Sequence, residues 1–169
     1  MERWDLYTEN REPTGLTHQR GTPVPDGYYH LVCHVWIRNS NGEYLISQRA
    51  ANRPTFPLYW ECVGGSVLQG ESALEGALRE VREEVGLTLS ACDGELLFSR
   101  VRKHEGQRTF NDILDVWRFS YNGLLTPESA STDEVARACW MSVEEIRALY
   151  EAGQLVDTLS YFFTDVAPR

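Results

Sequence analysis

The chain predicts an α+β domain in which the strands of a mixed sheet are layered between two helices, an α/β/α sandwich. Three observations carry this expectation. Short runs rich in β-branched and aromatic residues recur along most of the sequence, with turn residues between them. Only two segments, about 71–85 and 142–152, change to helical spacing. The 169 residues suit one domain, which at this size buries roughly 68–70% of its unfolded surface. The expected organisation is therefore a single domain over residues 1–169, with an N-terminal β-hairpin extension over about 1–27.

In order, Trp4–Tyr7 and Leu16–Gln19 read as paired strands around the turn-rich Glu9–Gly15, and residues 20–27, with two prolines and two glycines, read as a loop. Tyr29–Arg38 is a strand, Asn39–Gly42 a hairpin turn and Glu43–Arg49 its partner. A proline-broken loop, Asn52–Pro57, leads to a further strand, Trp60–Gly65. The first helix runs from Glu71 or Ser72 to Val85 and stops at Gly86, a residue that accepts the left-handed conformation. Leu96–Val101 and Asp112–Tyr121 alternate as strands on either side of the charged loop Arg102–Arg108. Ser131–Glu134 approaches a last strand reaching Trp140, and Ser142-Val143-Glu144-Glu145 is a capping box opening a helix to about Ala152.

The first helix carries the most information. Glu80, Glu83 and Glu84 stand at i, i+3 and i+4 and share one stripe, beside an apolar stripe of Leu74, Leu78, Val81 and Val85. Packing does not explain the glutamates, and like charges at that spacing cost an isolated helix a few tenths of a kcal/mol per pair. A cation should compensate them. Carboxylate and carbonyl oxygens suit Mg²⁺ or Mn²⁺, which keep several waters and share their coordination with substrate phosphates. The helix is preceded by Trp60-Glu61-Cys62-Val63-Gly64-Gly65, whose two glycines permit a tight loop and close backbone approach.

Composition narrows the partners. A net charge of −9 and a pI near 4.9 argue against general nucleic-acid binding, and an anionic substrate needs a metal or local arginines to offset the field. Cys33, Cys62, Cys92 and Cys139 are widely spaced, which suggests bystander thiols in a reducing cytosol. No run approaches 18 apolar residues and the first six lack a signal peptide's apolar stretch, so a cytoplasmic protein without a membrane partner is expected.

Gly65, Glu71, Arg79-Glu80-Val81, Glu83-Glu84 and Gly86-Leu87 together resemble the Nudix box, the signature of a family that splits diphosphates linked to another group; every fixed position is present. The resemblance implies an α/β/α sandwich with Glu83 and Glu84 as principal metal ligands. It further implies Glu80 as another ligand, the carbonyl of Gly64 as a backbone ligand, and an Arg79–Glu71 ion pair holding the loop to the helix. It also implies a later glutamate that joins the metal shell or acts as base, six residues before a tryptophan. Glu134 stands six residues before Trp140, with the acidic Glu128 and Asp133 nearby. Nudix domains are often dimers, so a homodimer is a further expectation.

A second resemblance covers nearly the whole chain: the isopentenyl-diphosphate isomerases and the hydrolase-like Nudix proteins grouped with them. It rests on Pro13-Thr14-Gly15, on His30-Leu31 opening a strand that reaches Trp36, and on Arg49 and Arg53 before Pro57 and Trp60. It implies that Arg49 and Arg53 grip the substrate diphosphate, a task for which guanidinium forks are suited. Asp115 falls close to an acidic catalytic residue of the isomerases and is a candidate for lining the site. Departures weigh against isomerase chemistry: Gly64 stands where the isomerases carry a cysteine, Ser66 and Pro23 where they carry histidines, and the box glutamates they commonly lose are intact. His30 alone reads as a hydrogen-bonded structural histidine, and Arg100–His104 with Arg108 as a solvated hairpin loop. The leading expectation is a Mg²⁺-dependent hydrolase of a small diphosphate. Its rivals are an isomerase acting on a prenyl diphosphate and a non-catalytic binding module.

Overall fold

The computed structural model describes residues 2–103, 111–126 and 129–167. Most of the expected Arg102–Arg108 loop, including His104 and Arg108, and also Glu128, lie outside the described residues. Two antiparallel strands, β1 (Arg3–Tyr7) and β2 (Pro13–Gln19), form a separate ribbon. β2 starts three residues before its expected beginning, because Tyr7 pairs with Pro13 across the shorter turn.

The main sheet has seven strands: β3 (His30–Arg38), β4 (Tyr44–Arg49), β5 (Trp60–Glu61), β6 (Val63–Ser66), β7 (Gly94–Arg102), β8 (Asp112–Ser120) and β9 (Val135–Met141). β3 runs parallel to β8 along its whole length, from His30 opposite Asp112 to Arg38 opposite Ser120; the other pairings are antiparallel. β3 and β4 meet only at Arg38 and Tyr44 and then diverge. The segment expected as one strand, Trp60–Gly65, breaks at Cys62 because it changes partner there, β5 pairing with β4 and β6 with β3. That fork is where the functional loop enters.

Helix α1 (Ala73–Val85) lies on one face of the sheet. Its start, expected at Glu71 or Ser72, is fixed by a capping box: Ser72 Oγ accepts from the Glu75 N–H, and the Glu75 carboxylate accepts from the Ser72 N–H. Its end is Gly86 at φ 73°. Ala77, Val81 and Val85 pack on Val35, Ile37, Leu45 and Val63; burying a residue such as Val81 contributes about 1.5–3 kcal/mol. Helix α2 (Val143–Glu151) opens with the expected capping box of Ser142 and Glu145. It covers the opposite face together with the C-terminal segment, where Ile146, Leu159 and Phe162 pack on Trp36, Tyr44, Ile46, Leu114 and Val116. Helices on both sides of a mixed sheet make the expected sandwich.

Candidate active site

The box is assembled by close approach. β6 leads into the loop before α1, and the Glu80 carboxylate lies so near Gly65 that a Cβ there would overlap it. A Cβ at Gly64 would overlap the carbonyl of Cys33 and stand 3.2 Å from His34 Cα. A side chain at Gly64 would therefore push the loop off the sheet, whereas one at Gly65 would displace the Glu80 carboxylate from its place beside the loop.

Arg79 is the hub. Its guanidinium donates to both oxygens of Glu71 (2.8 and 3.1 Å), to Glu80 (2.8 Å), to Glu83 (3.0 Å) and to the Ser66 carbonyl (2.9 Å). The bridge to Glu71 ties loop to helix. Gly86 serves the far end: a Cβ there would overlap the Thr126 carbonyl and lie 2.8 Å from the Ala130 nitrogen. The following residues are pinned to α1, with the N–H groups of Ser131 and Thr132 both donating to the Glu83 carbonyl. This carries Glu134 to the same cleft.

The cleft encloses about 150 Å³ and is bounded by Gly64, Gly65 and Ser66 below and by Glu80, Glu83, Glu84 and Arg79 from α1. Glu134, Thr132, Arg49, Arg53, Glu2 and Arg20 complete its wall. Arg53 pairs with Glu134 at 2.7 Å and Arg49 with Glu61 at 2.6 Å. Glu84 is buried, and its Oε2 has no hydrogen-bond partner. Burial pushes its carboxyl well above the usual range, the charges of Glu80, Glu61 and Glu134 push it further, and only the Gly64 backbone N–H opposes them. Burial also raises Glu80 and Glu61, against the pull of Arg79 and Arg49.

Among the described residues no three carboxylate, imidazole or thiol side chains converge as a ready ligand set. Arg79 holds Glu80 and Glu83 instead. The donor chemistry nevertheless fits a hard divalent cation: every acidic donor is oxygen, and the orphaned Glu84 Oε2 is a buried carboxyl oxygen without a hydrogen-bond partner.

The site-residue expectations separate here. Gly64, Gly65, Glu80, Glu83, Glu84, Arg79, Glu134, Arg49 and Arg53 all border one cleft, and Glu71 and Gly86 brace it. Asp115 does not border it. It shares a row with Cys33 and Gly65 across β8, β3 and β6, two strands from the box. There it is fully buried, gripped by Arg11 Nη1 (2.6 Å) and Nη2 (2.5 Å) and bonded by Ser99 Oγ. Arg11 arrives on the turn of the N-terminal ribbon, so the site-lining expectation for Asp115 is corrected to an anchor between ribbon and sheet. His30 stacks on Trp4 (4.1 Å between centroids) with Ser66 Oγ 3.4 Å away, a packing role. Cys62 is buried in the core on the face opposite α1. Arg102 is held by Asp112 at 2.7 and 2.8 Å. Glu2 and Arg20, on the cleft wall, and Glu61, behind it as the partner of Arg49, carry no local pattern that marks them.

A glycine loop braced by arginine, feeding an acid-lined helix laid on a forked mixed sheet, defines the Nudix class of domain. The family model for the NUDIX domain matches residues 28–161, and the chain belongs to that family. It is 37% identical over 164 residues to an uncharacterized Nudix hydrolase of Listeria monocytogenes, covering 96% of this chain and 91% of that protein. It is 28% identical over 152 residues to an isopentenyl-diphosphate Delta-isomerase of Mycolicibacterium vanbaalenii, covering 88% of this chain and 79% of that one. In fold it is similar to the crystal structure of DR0079 from Deinococcus radiodurans, with a TM-score of 0.74 and 24% identity, over 99% of this chain and 100% of that one. Among the described residues no helix is long and apolar enough to cross a membrane.

Proposed function

We propose that the protein is a Mg²⁺- or Mn²⁺-dependent hydrolase that cleaves a diphosphate joined to a second group. The observation that carries this reading is the buried Glu84 carboxylate, one oxygen without a partner, in a cleft whose opposite wall is arginine. Glu80, Glu83, Glu84 and the Gly64 carbonyl would hold the ion, which when bound supplies charge neutralisation of the phosphates and activation of water. Arg49 and Arg53 leave Glu61 and Glu134 to fork onto phosphate oxygens. Glu134, once released, accepts the proton of the attacking water. Arg79 and Glu71 keep loop and helix in register, so that catalysis is positional and electrostatic and needs no covalent nucleophile.

A panel of nucleoside, sugar and prenyl diphosphates, assayed for phosphate or monophosphate release, tests this. Turnover is expected with Mg²⁺ or Mn²⁺, little with Zn²⁺, and none in excess chelator; undiminished hydrolysis in chelator refutes the metal requirement. The isomerase reading predicts deuterium incorporation into isopentenyl diphosphate with the diphosphate intact. None is expected, because Gly64, Ser66 and Pro23 stand where the isomerases carry a cysteine and two histidines, and Cys62 is buried in the core and does not border the cleft.

A further inference from the structure

Among the described residues, Arg38 is the one arginine that is not exposed and yet has no carboxylate partner; Arg49, Arg53, Arg79, Arg102 and Arg118, its half-buried counterparts, are all paired. It closes β3 opposite Ser120 of β8, and its guanidinium stands 6.0 Å from the centre of the Tyr44 ring. The ring attracts the cation but offers its N–H groups no lone-pair acceptor. Arg38 Nε is buried without a partner, a condition it shares with Arg53 Nε in the cleft. A buried donor of this kind calls for an ion or a water to explain it. The place is not the cleft: Arg38 lies four residues, roughly 13 Å, beyond His34, the residue that pairs with Gly64.

Other donors gather around it. Arg38, Asn39, Ser40, Ser120 and Asn122 line a hollow of about 290 Å³ to which no carboxylate contributes. The Ser40 N–H donates to the Asn122 side chain at 2.7 Å. An N–H can only donate, so the atom it meets is Oδ1, and the Asn122 amino group is left over. The Asn39 side chain is spent within the hairpin turn: its Oδ1 accepts from the Asn41 and Glu43 N–H groups, and its Nδ2 donates to the Glu43 carboxylate, which occupies the acid nearest to Arg38 in the sequence. Gly42, at φ 84°, lays the turn against the guanidinium, with a Cβ there 3.5 Å from Arg38 Nη2. The hydroxyls of Ser40 and Ser120 make no hydrogen bond among the described residues.

We propose that this hollow binds a tetrahedral oxyanion, either a free phosphate or sulfate ion or the phosphoryl group of a small phosphomonoester, at a site separate from the cleft. Arg38 supplies the charge and the donor fork, while the Ser40 and Ser120 hydroxyls and the Asn122 amino group donate to the remaining oxygens. Donors from four side chains outnumber the two oxygens of a carboxylate and match a phosphoryl group. A hollow of this size stands near the lower end of the roughly 300–1,000 Å³ of ligand pockets, which leaves room for a short organic body on the phosphate. The site stands whether or not the cleft hydrolyses a diphosphate.

The full chain labelled with ¹⁵N, without added divalent metal, tests this residue by residue. Titration with sodium phosphate or sodium sulfate at constant ionic strength should move the Arg38 Nε–H, the Asn122 side-chain amide and the Ser40 N–H together, saturating at millimolar concentrations. The Gly64 and Gly65 amides report the cleft separately. Sodium acetate at the same ionic strength should leave the three signals in place. Arg38→Met, which keeps a stem over Tyr44, should weaken binding about tenfold or more, the scale of one lost charge-assisted hydrogen bond. Ser120→Ala, at the exposed end of β8, should weaken it about threefold, the scale of a neutral hydrogen bond, and reads the site even if Arg38→Met fails to fold. Glycerol 3-phosphate separates the two sources: tighter binding than phosphate assigns the hollow to a phosphomonoester, and binding no tighter assigns it to the free ion. Shifts that acetate reproduces, that stay confined to Gly64 and Gly65, or that keep their full affinity in either folded variant overturn the site.

Discussion

Replacing Glu84 with glutamine separates the thermodynamic cost of the cleft from its use. The wild-type carboxylate is buried at 7% exposure with Oε2 unpaired, and the nearest compensating group is one backbone N–H. Glutamine keeps an acceptor for that N–H and removes the charge. Relief of an uncompensated buried anion is expected to stabilise the metal-free fold by about 1–2 kcal/mol at pH 7–8. For a chain of this size that is roughly 2–8 °C in Tm. The pH dependence has a definite sign. The folded pKa of Glu84 lies above the unfolded value, so the native state holds the proton more tightly. Its contribution to stability is complete below the unfolded pKa and disappears as pH rises through the folded one, with a slope of up to about 1.4 kcal/mol per pH unit. Thermal unfolding in chelator between pH 4 and 8 should therefore show a downward slope in the wild type that is weaker in Glu84→Gln. Added Mg²⁺ should raise the Tm of the wild type far more than that of the variant, and kcat should fall roughly a hundredfold or more in the variant. A Glu84→Gln protein less stable than wild type in chelator, with the same pH slope and the same Mg²⁺ response, would refute the reasoning.

Arg79→Met removes donors from Glu71, Glu80, Glu83 and the Ser66 carbonyl together, and a loss of roughly 2–4 kcal/mol at pH 7 is expected by urea denaturation, shrinking at low pH as the carboxylates protonate. Arg49→Ala and Arg53→Ala should each raise KM for the diphosphate about tenfold, the scale of one charge-assisted hydrogen bond of about 1.5–3 kcal/mol. They should differ in stability: Glu61, 21% exposed, is stranded by the first more severely than Glu134, 33% exposed, by the second, and equal Tm values would contradict this. Asp115→Asn should cost about 1–2 kcal/mol, moderated because Arg11 is 38% exposed, and should quicken proteolysis of the ribbon while leaving kcat within about threefold. A large kcat loss there would restore Asp115 to the chemistry.

What the chain discloses by local pattern it discloses well. The box spacing, the αL stop at Gly86 and the Ser142 capping box are each set within a few residues, and the structure places them where those patterns put them. Position in space is another matter. Alternation correctly turned Asp115 away from Leu114 and Val116, yet facing is not neighbourhood, and the residue that claims it, Arg11, comes from a ribbon whose docking no window of sequence encodes. Glu61 escaped notice for the same reason: it sits in an apolar run, and its nearness to Glu84 follows from the change of partner at Cys62. His34 carries no motif, and its partner Tyr161, which also accepts from Trp36, comes from the C-terminal segment, to which no local pattern gave an element.

The parallel pairing of β3 with β8 has a consequence for biosynthesis. On the ribosome, the box helix and its glutamates are made well before residues 112–120, the strand that pairs with β3 along its whole length. Until then the bare edge of β3, with Val35 and Ile37 on it, is free to recruit strands from other chains. Joining two strands so distant in sequence is also slow. A nascent or truncated chain ending near residue 110 should depend on chaperones and aggregate when released, whereas one extended past β9 has closed the edges of both β3 and β4 and should stay in solution.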